Sequence, residues 1–355
     1  MCYTCYRIPN SSRIRNSCVR KNRVTESITQ VAQDIFQVQV PVPFPLKTVQ
    51  CYLVREEGAW TMIDTGLQYA PARQAWAHAF QTLQIEPRAI RQIVLTHAHP
   101  DHYGLAGYFQ EMTGAPVFLL DHEIEIAVFE WQADGEHMDM IARYFAKHGL
   151  PSSIGESVHE RQMQVLAMVQ PQPVLSPLRE DEEIQIGAET YRVVWTPGHA
   201  DGHIVLHRAD GLAFTGDHVL MKITPNIALW PGLAPNPLKD YLDALNKVDR
   251  LNITPALPGH RAILYDLPAR IAELRAHHAA RLNDCVAAAQ NCTAYQVCLE
   301  IFPSLKTVDE LRMALVETLS HLEYLVAEGR LVREEKRVAQ DQEVILYSAH
   351  RVPSN

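Results

Sequence analysis

The chain has 355 residues, enough for two ordinary domains and for a core that needs no disulfides. Hydrophobic residues make up 47% and charged residues 21%, which excludes low-complexity disorder and collagen-like repeats. A formal charge of −9 argues against a protein whose task is coating nucleic acid or an anionic membrane, and no apolar run approaches the ~20 residues that span a bilayer.

Residues 1–27 form a leader with no period of 2 or 3.6, and we expect them to be disordered. Six basic side chains (Arg7, Arg13, Arg15, Arg20, Lys21, Arg23) face one acidic one, Glu26, in residues 1–26. The rest of the chain holds 26 basic and 40 acidic residues, a net −14. An Arg-rich, acid-poor leader can be an organelle-targeting peptide, but no amphipathic apolar face is visible, so a plain unstructured extension is preferred. Cys2 and Cys5 lack a second pair at zinc-site spacing. Seven scattered cysteines fit a reducing compartment, and a cytoplasmic location is expected.

From Val31 the pattern is β-like: Ile35, Val38 and Val40, then residues 49–54 and 60–63 around the turn Glu56-Glu57-Gly58. Ala72, Ala75, Trp76, Ala79, Phe80 and Leu83 share one helical face over 71–84. Further strands are expected over 90–95, 117–120, 184–186, 191–195, 204–207, 212–215 and 255–257. Strands interleaved with helices indicate α/β layering. Residues 121–170 read as a helical insertion, roughly 122–132, 137–148 and 156–169. It is rich in methionine (Met138, Met140, Met163, Met168) and aromatics, able to layer on a sheet or to line an adaptable pocket. Residues 171–180 read as a Pro-rich connector.

A second unit, residues 266–350, opens with an Ala-rich helix over 267–290. Thr293/Gln296 and Thr307/Glu310 are capping-box pairs that start helices. A third helix is expected over 317–328, ended by Gly329, then a hairpin from 330–335 and 344–347. Helices followed by a hairpin describe a winged helix. Its third helix has no Lys or Arg and three glutamates, so sequence-specific DNA reading is disfavoured; RNA is kept as a candidate partner. Leu319, Leu322, Leu325 and Val326 are expected to pack the unit's own core. The unit itself is expected to cover the active cleft or to make a contact between copies of the chain.

The chemistry concentrates in Thr96-His97-Ala98-His99-Pro100-Asp101-His102, directly after an apolar strand. An H-x-H pair at a strand end points both imidazoles to one side, and the following loop returns Asp101 and His102 from another direction. That arrangement suits a metal pair held by nitrogen and oxygen donors. Thr196-Pro197-Gly198-His199, Thr215-Gly216-Asp217 and Pro258-Gly259-His260 each follow a strand, with a glycine that lets the backbone turn sharply before the candidate ligand.

These motifs resemble the metallo-β-lactamase-fold hydrolase superfamily over residues 28–265. The C-terminal unit is similar to the module of its β-lactamase-like-protein-2 branch, some members of which cleave single-stranded RNA; glyoxalase II is another relative. The resemblance implies an αββα sandwich with two divalent metal ions at one sheet edge, zinc first, with iron or manganese suited to the same donors. It implies His97, His99 and His199 around one metal, and Asp101, His102 and His260 around the other. Asp217 would bridge them, and Asp64, in Met62-Ile63-Asp64-Thr65-Gly66, would orient a ligand from behind. Two divalent ions against Asp101, Asp217 and a bridging hydroxide leave a small positive excess that favours an oxyanion or polarised carbonyl. Asp101 is the candidate for orienting that nucleophile and handling its proton.

The expected function is therefore a dinuclear hydrolase acting through the metal-bridging hydroxide on a small ester or thioester, acyl-glutathione- or acyl-CoA-like. The alternatives are a metal-dependent endoribonuclease or phosphodiesterase, and a non-catalytic nucleic-acid-binding or scaffold protein. The partner is a small molecule rather than a membrane, and a homo-oligomer is a further expectation. No G-x-S-x-G, G-x-G-x-x-G or G-x-x-x-x-G-K-[ST] motif offers a rival chemistry. Neither His122-Glu123 nor His159-Glu160 completes a zinc H-E-x-x-H, so both are expected to be ordinary. His203, His207 and His218 are expected to be structural; His137, His148, His277, His278, His321 and His350 are expected to face solvent.

Overall fold

A computed structural model describes residues 27–131, 135–338 and 343–350; the expected leader, apart from Ser27, lies outside the described residues. Two sheets stack face to face. The first takes β1 (Ile28–Ala32), β2 (Ile35–Pro41), β3 (Thr48–Glu56), β4 (Ala59–Ile63), β5 (Ile90–Val94), β6 (Val117–Leu120) and β7 (Leu175–Leu178), side by side in that order. β1 to β4 are antiparallel, as their short turns allow; β4 to β7 are parallel. The second takes β8 (Glu183–Ile186), β9 (Glu189–Trp195), β10 (Ile204–Arg208), β11 (Ala213–Gly216) and β12 (Ala256–Pro258), antiparallel except for the parallel β11–β12 pair.

Side-chain alternation builds the layers. On β3, Tyr52 and Val54 enter the core between the sheets with Ile63, Val94, Val193, Leu206 and Phe214. Cys51 and Leu53, on the opposite face of β3, pack outward with the helices α1 (Ala70–Leu83), α2 (Pro100–Tyr103) and α3 (Ala106–Thr113). Trp76 and Phe80 of α1 meet Phe109 of α3 there. α4 (Asp121–Trp131), α5 (Gly135–Lys147) and α6 (Ser152–Ala167) form the insertion, and α7 (Pro237–Asp249) covers the second sheet. Helix, sheet, sheet, helix is the expected αββα order.

The C-terminal unit runs α8 (Leu267–Ala288), β13 (Gln290–Cys292), α9 (Ala294–Ile301), α10 (Val308–Ala327), β14 (Leu331–Arg337) and β15 (Glu343–Ala349), with strands ordered β13-β15-β14. Both capping boxes form, at Thr293 and Thr307. The unit shares one continuous core with the second sheet: Val205 and Ala213, Leu238 and Tyr241 of α7, Leu274 of α8, and Leu315, Leu319 and Leu322 of α10.

Three expectations are corrected. Residues 317–328 do not form a separate helix: α10 runs unbroken from Thr307 because no Gly or Pro interrupts it. The connector contains β7, an edge strand that tolerates Pro177 because its outer side needs no ladder donor. His148, His278 and His321 are buried rather than solvent-facing. His278 lies on the same face of α8 as Leu274, Leu282 and Cys285 and meets His321 of α10, their ring nitrogens 3.1 Å apart. The helical period of that face was readable beforehand. His277 is half-buried, His350 is exposed, and the side chain of His137 lies outside the described residues.

Candidate metal centre

All the candidate ligands stand at the carboxyl ends of strands. Asp64 follows β4; His97, His99, Asp101 and His102 follow β5; His199 follows β9, Asp217 follows β11 and His260 follows β12. Two glycine positions show how tightly these turns are built. A Cβ on Gly259 would stand 2.4 Å from Asp217 Oδ1 and 2.5 Å from His102 Cε1. Gly198, at φ +123°, lies against Tyr241, where a Cβ would stand 2.4 Å from the Tyr241 Cβ and 2.5 Å from its Cα.

The structure brings all seven candidates together. His97, His99 and His199 form one group of potential ligand atoms within 4.8 Å of one another; Asp101, His102 and His260 form another, and His97, His102 and Asp217 a third that joins them. Asp217 lies between the two sides. Its Oδ2 is 3.6 Å from His199 Nε2 and 3.3 Å from His260 Nε2, and its Oδ1 is 3.5 Å from His102 Nε2. Asp101 Oδ2 is 3.3 Å from His260 Nε2.

Whether these residues suit cations can be read from the hydrogen bonds behind them. His102 Nδ1 donates to Asp64 Oδ2 at 2.8 Å, His199 Nδ1 to the Asn226 carbonyl at 2.9 Å, and His260 Nδ1 to the Thr48 carbonyl at 2.9 Å. The Thr96 hydroxyl donates to Asp64 at 2.8 Å, so it accepts from His97 Nδ1 at 3.0 Å. Four imidazoles therefore carry their proton outward and turn an Nε2 lone pair inward. His99 differs, aiming Nδ1 at His199 Nε2, 2.9 Å away. The buried Nε2 atoms of His97, His102 and His260, and Oδ1 of Asp217, have no hydrogen-bond partner. Buried polar atoms left in this way are costly, and a divalent cation among them would satisfy all four.

The electrostatics agree. Burial pushes His97 well down and His99 to about 3, and it lowers His199, keeping all three neutral as ligation requires. Burial opposes ionisation of Asp101 and Asp217, but His260 outweighs it at both, with His102 assisting. Asp101 is held at about 2 and Asp217 well below the usual carboxylate range. Burial also opposes charge on His102 and His260, yet Asp217 chiefly raises both, His260 to about 10. The cluster as a whole favours added positive charge.

Asp64 stands where expected. Buried at φ +57°, it accepts the Thr96 amide and hydroxyl, each at 2.8 Å, besides His102. His203 is structural: Nδ1 meets the Thr196 hydroxyl at 2.8 Å, and Nε2 accepts the Asp217 amide at 3.0 Å. Glu123 is not ordinary. It is 1% exposed, and its carboxylate accepts the Ala98 amide at 2.9 Å and the Gly202 amide at 2.6 Å. It thereby ties the His97–His99 loop to the His199 loop. Trp131 adds a bond from Nε1 to the Ala98 carbonyl at 3.0 Å. Behind His199, Asn226 Nδ2 donates to Glu317 of α10 at 3.1 Å, so the C-terminal unit braces this edge as well.

A two-sheet sandwich with histidines and aspartates gathered at one strand edge defines a metal-dependent hydrolase fold. The chain belongs to the metallo-beta-lactamase superfamily: the model of that family matches residues 45–260, and one described as metallo-beta-lactamase-like, C-terminal domain, matches residues 282–349. The probable metallo-hydrolase YqjP of Bacillus subtilis is 30% identical, covering 83% of this chain and 93% of its own. A metallo-beta-lactamase family protein of Thermus thermophilus superposes with a TM-score of 0.80 at 34% identity, over 90% of this chain and all of that one. A beta-lactamase domain protein of Burkholderia ambifaria gives 0.79 at 28% identity, over 92% and 96%.

Proposed function

We propose that the chain is a dinuclear metallo-hydrolase of small esters or thioesters. The observation that carries this reading is the set of four imidazoles with outward protons and inward lone pairs, closed by two buried carboxylates. His97, His99 and His199 would hold one divalent ion and Asp101, His102 and His260 the second, with Asp217 shared. The ions, zinc first by donor set, would supply Lewis acidity and a water acidified to near neutral pH.

The chain's own residues do the rest. Asp101, with a side chain 14% exposed against 8% for Asp217, faces the cleft and is placed to orient an attacking water and accept its proton at a carboxylate oxygen. His199 and His260, fixed by backbone carbonyls, keep the edge from rearranging during turnover. The cleft beside His99, Asp101 and His199 is walled by apolar side chains, including Phe44, Phe129, Trp131, Ile141 and Trp230, which exclude water and suit an acyl chain.

Helix, strand, two helices and a hairpin make the C-terminal unit a winged-helix module in this reading, turned to bracing rather than to nucleic acid. Glu317 of α10 points inward to Asn226. On the wing, Arg333 pairs with Glu323, Lys336 with Glu334 and Arg337 with Glu343. Among the described residues no helix is long and apolar enough to cross a membrane. The four cysteines there are free, which suits a reducing cytoplasm.

The test is a panel of acyl thioesters, aryl esters and single-stranded RNA, given to metal-reconstituted protein whose metal content is measured in the same sample. Thioester or ester turnover without RNA cleavage is expected. Cleavage of RNA with no ester or thioester turned over would reverse the assignment.

A further inference from the structure

The cleft that begins at His99, Asp101, His199, Asp217 and His260 does not end in apolar wall. Its lining also carries two arginines from elements outside the two sheets: Arg161 of α6, in the insertion, and Arg312 of α10, in the C-terminal unit. Asp309, Arg312 and Met313 are spaced i, i+3 and i+4, so one face of α10 is turned to the cleft.

The two arginines are in different states. Arg161 Nε is bonded to both carboxylate oxygens of Asp309, each at 3.0 Å, so its charge is answered within the protein. Arg312 makes no hydrogen bond or ion pair with a described residue. Its buried Nε has no partner, and its guanidinium lies over the Trp230 ring, 5.4 Å from the centroid. Stacking of this kind fixes the plane of the fork while leaving its edge free. An arginine half-buried in an apolar cleft with no internal acceptor is a cost that a ligand oxyanion would offset.

Resting on the hydrolase reading above, we propose that Arg312, held flat by Trp230, is a substrate-binding residue for a carboxylate, so that the substrate is an acyl ester or thioester bearing a second, anionic end. The apolar stretch between this arginine and the metal edge holds the body of the acyl group, while the carboxylate lies in the plane of the guanidinium. The fork pairs in a bidentate way with carboxylate and phosphate alike; carboxylate is favoured here because a single guanidinium answers its one charge and both its oxygens, whereas a phosphate dianion would leave an oxygen and a charge unanswered among apolar side chains. The other charges facing the site do not cancel it. Asp309 is engaged by Arg161, and burial raises Glu130 to about 8, leaving it mainly uncharged at neutral pH.

The test uses binding, so that it does not depend on turnover. Heptanamide, its ω-carboxylate analogue pimelic acid monoamide and the matching ω-phosphonate are titrated calorimetrically into the full-length, metal-loaded protein. We expect the carboxylate to bind about 10- to 100-fold more tightly than heptanamide. That advantage should collapse toward unity in Arg312→Gln, while the double variant Arg161→Gln/Asp309→Asn, which removes the neighbouring ion pair as a unit, keeps it. Equal binding of carboxylate and neutral amide by the unaltered protein would overturn the proposal, as would a preference surviving in Arg312→Gln or a stronger one for phosphonate. Hydrolysis of heptanoyl thioester and of its ω-carboxylate analogue, pimeloyl monothioester, is measured beside it. Failure on both with the binding preference intact would sink the hydrolase reading and leave the anion subsite standing; turnover of either without the preference would do the reverse.

Discussion

The metal edge and the cleft wall are built on opposite plans. At the edge, side chains that meet in space sit on short loops at strand ends, three of them directly after a glycine, and four of its imidazoles have their second nitrogen tied to a carbonyl, a hydroxyl or Asp64. The wall is assembled from α4, α5, α6 and α10 and the loop around Trp230, with few internal polar bonds and one arginine without an acceptor. The difference separates two tasks. In the proposed reading the sandwich edge supplies the fixed geometry that chemistry demands, and the helices select the substrate at positions other than Glu123, Trp131 and Glu317, which brace that edge.

The largest effect is expected where the edge does chemistry. Asp101→Asn should lower kcat by about 10²- to 10⁴-fold with the unfolding transition unmoved, as steady-state assays beside thermal melts will read. Near-normal turnover would erase the distinction between edge and wall. Glu123→Ala strikes the link between them by stripping the acceptor from two buried amides, Ala98 and Gly202. Stability should fall by about 2–4 kcal/mol in urea titrations, and less than 1 kcal/mol would mean that the insertion does not hold the edge. Asp64→Asn keeps the shape but weakens the orientation of His102. Metal affinity should fall by about 10- to 100-fold in chelator competition. The smallest effect belongs to the wall: Leu233 also lines the cleft, and Leu233→Ala should lower kcat/KM by about tenfold for long acyl chains and by less for acetyl, while equal losses for both would contradict a pocket that reads chain length.

What the sequence disclosed follows the same division. His97 to His102 lie within six positions and the other three ligand candidates follow glycine turns, so the edge was legible from local pattern. Alternation along β3 and the apolar run of β5 disclosed the sandwich for the same reason. Glu123 was hidden because its role is set by amides 25 and 79 residues away, not by its neighbours. Asking whether His122-Glu123 completes a zinc motif could not reveal an acceptor for backbone N–H groups. Arg312 was hidden likewise, since nothing in its helix announces the Trp230 ring beneath it. His278 was a different omission: the apolar period of α8 passes through it, and its type alone suggested solvent.

Whether the seven converging side chains hold a pair of ions is measured directly by metal stoichiometry. Folded protein saturated with zinc and freed of excess should carry two ions per chain by elemental analysis, falling to one or fewer in His260→Ala with its circular dichroism retained. One ion or none in the unaltered, folded protein would contradict the two-ion site.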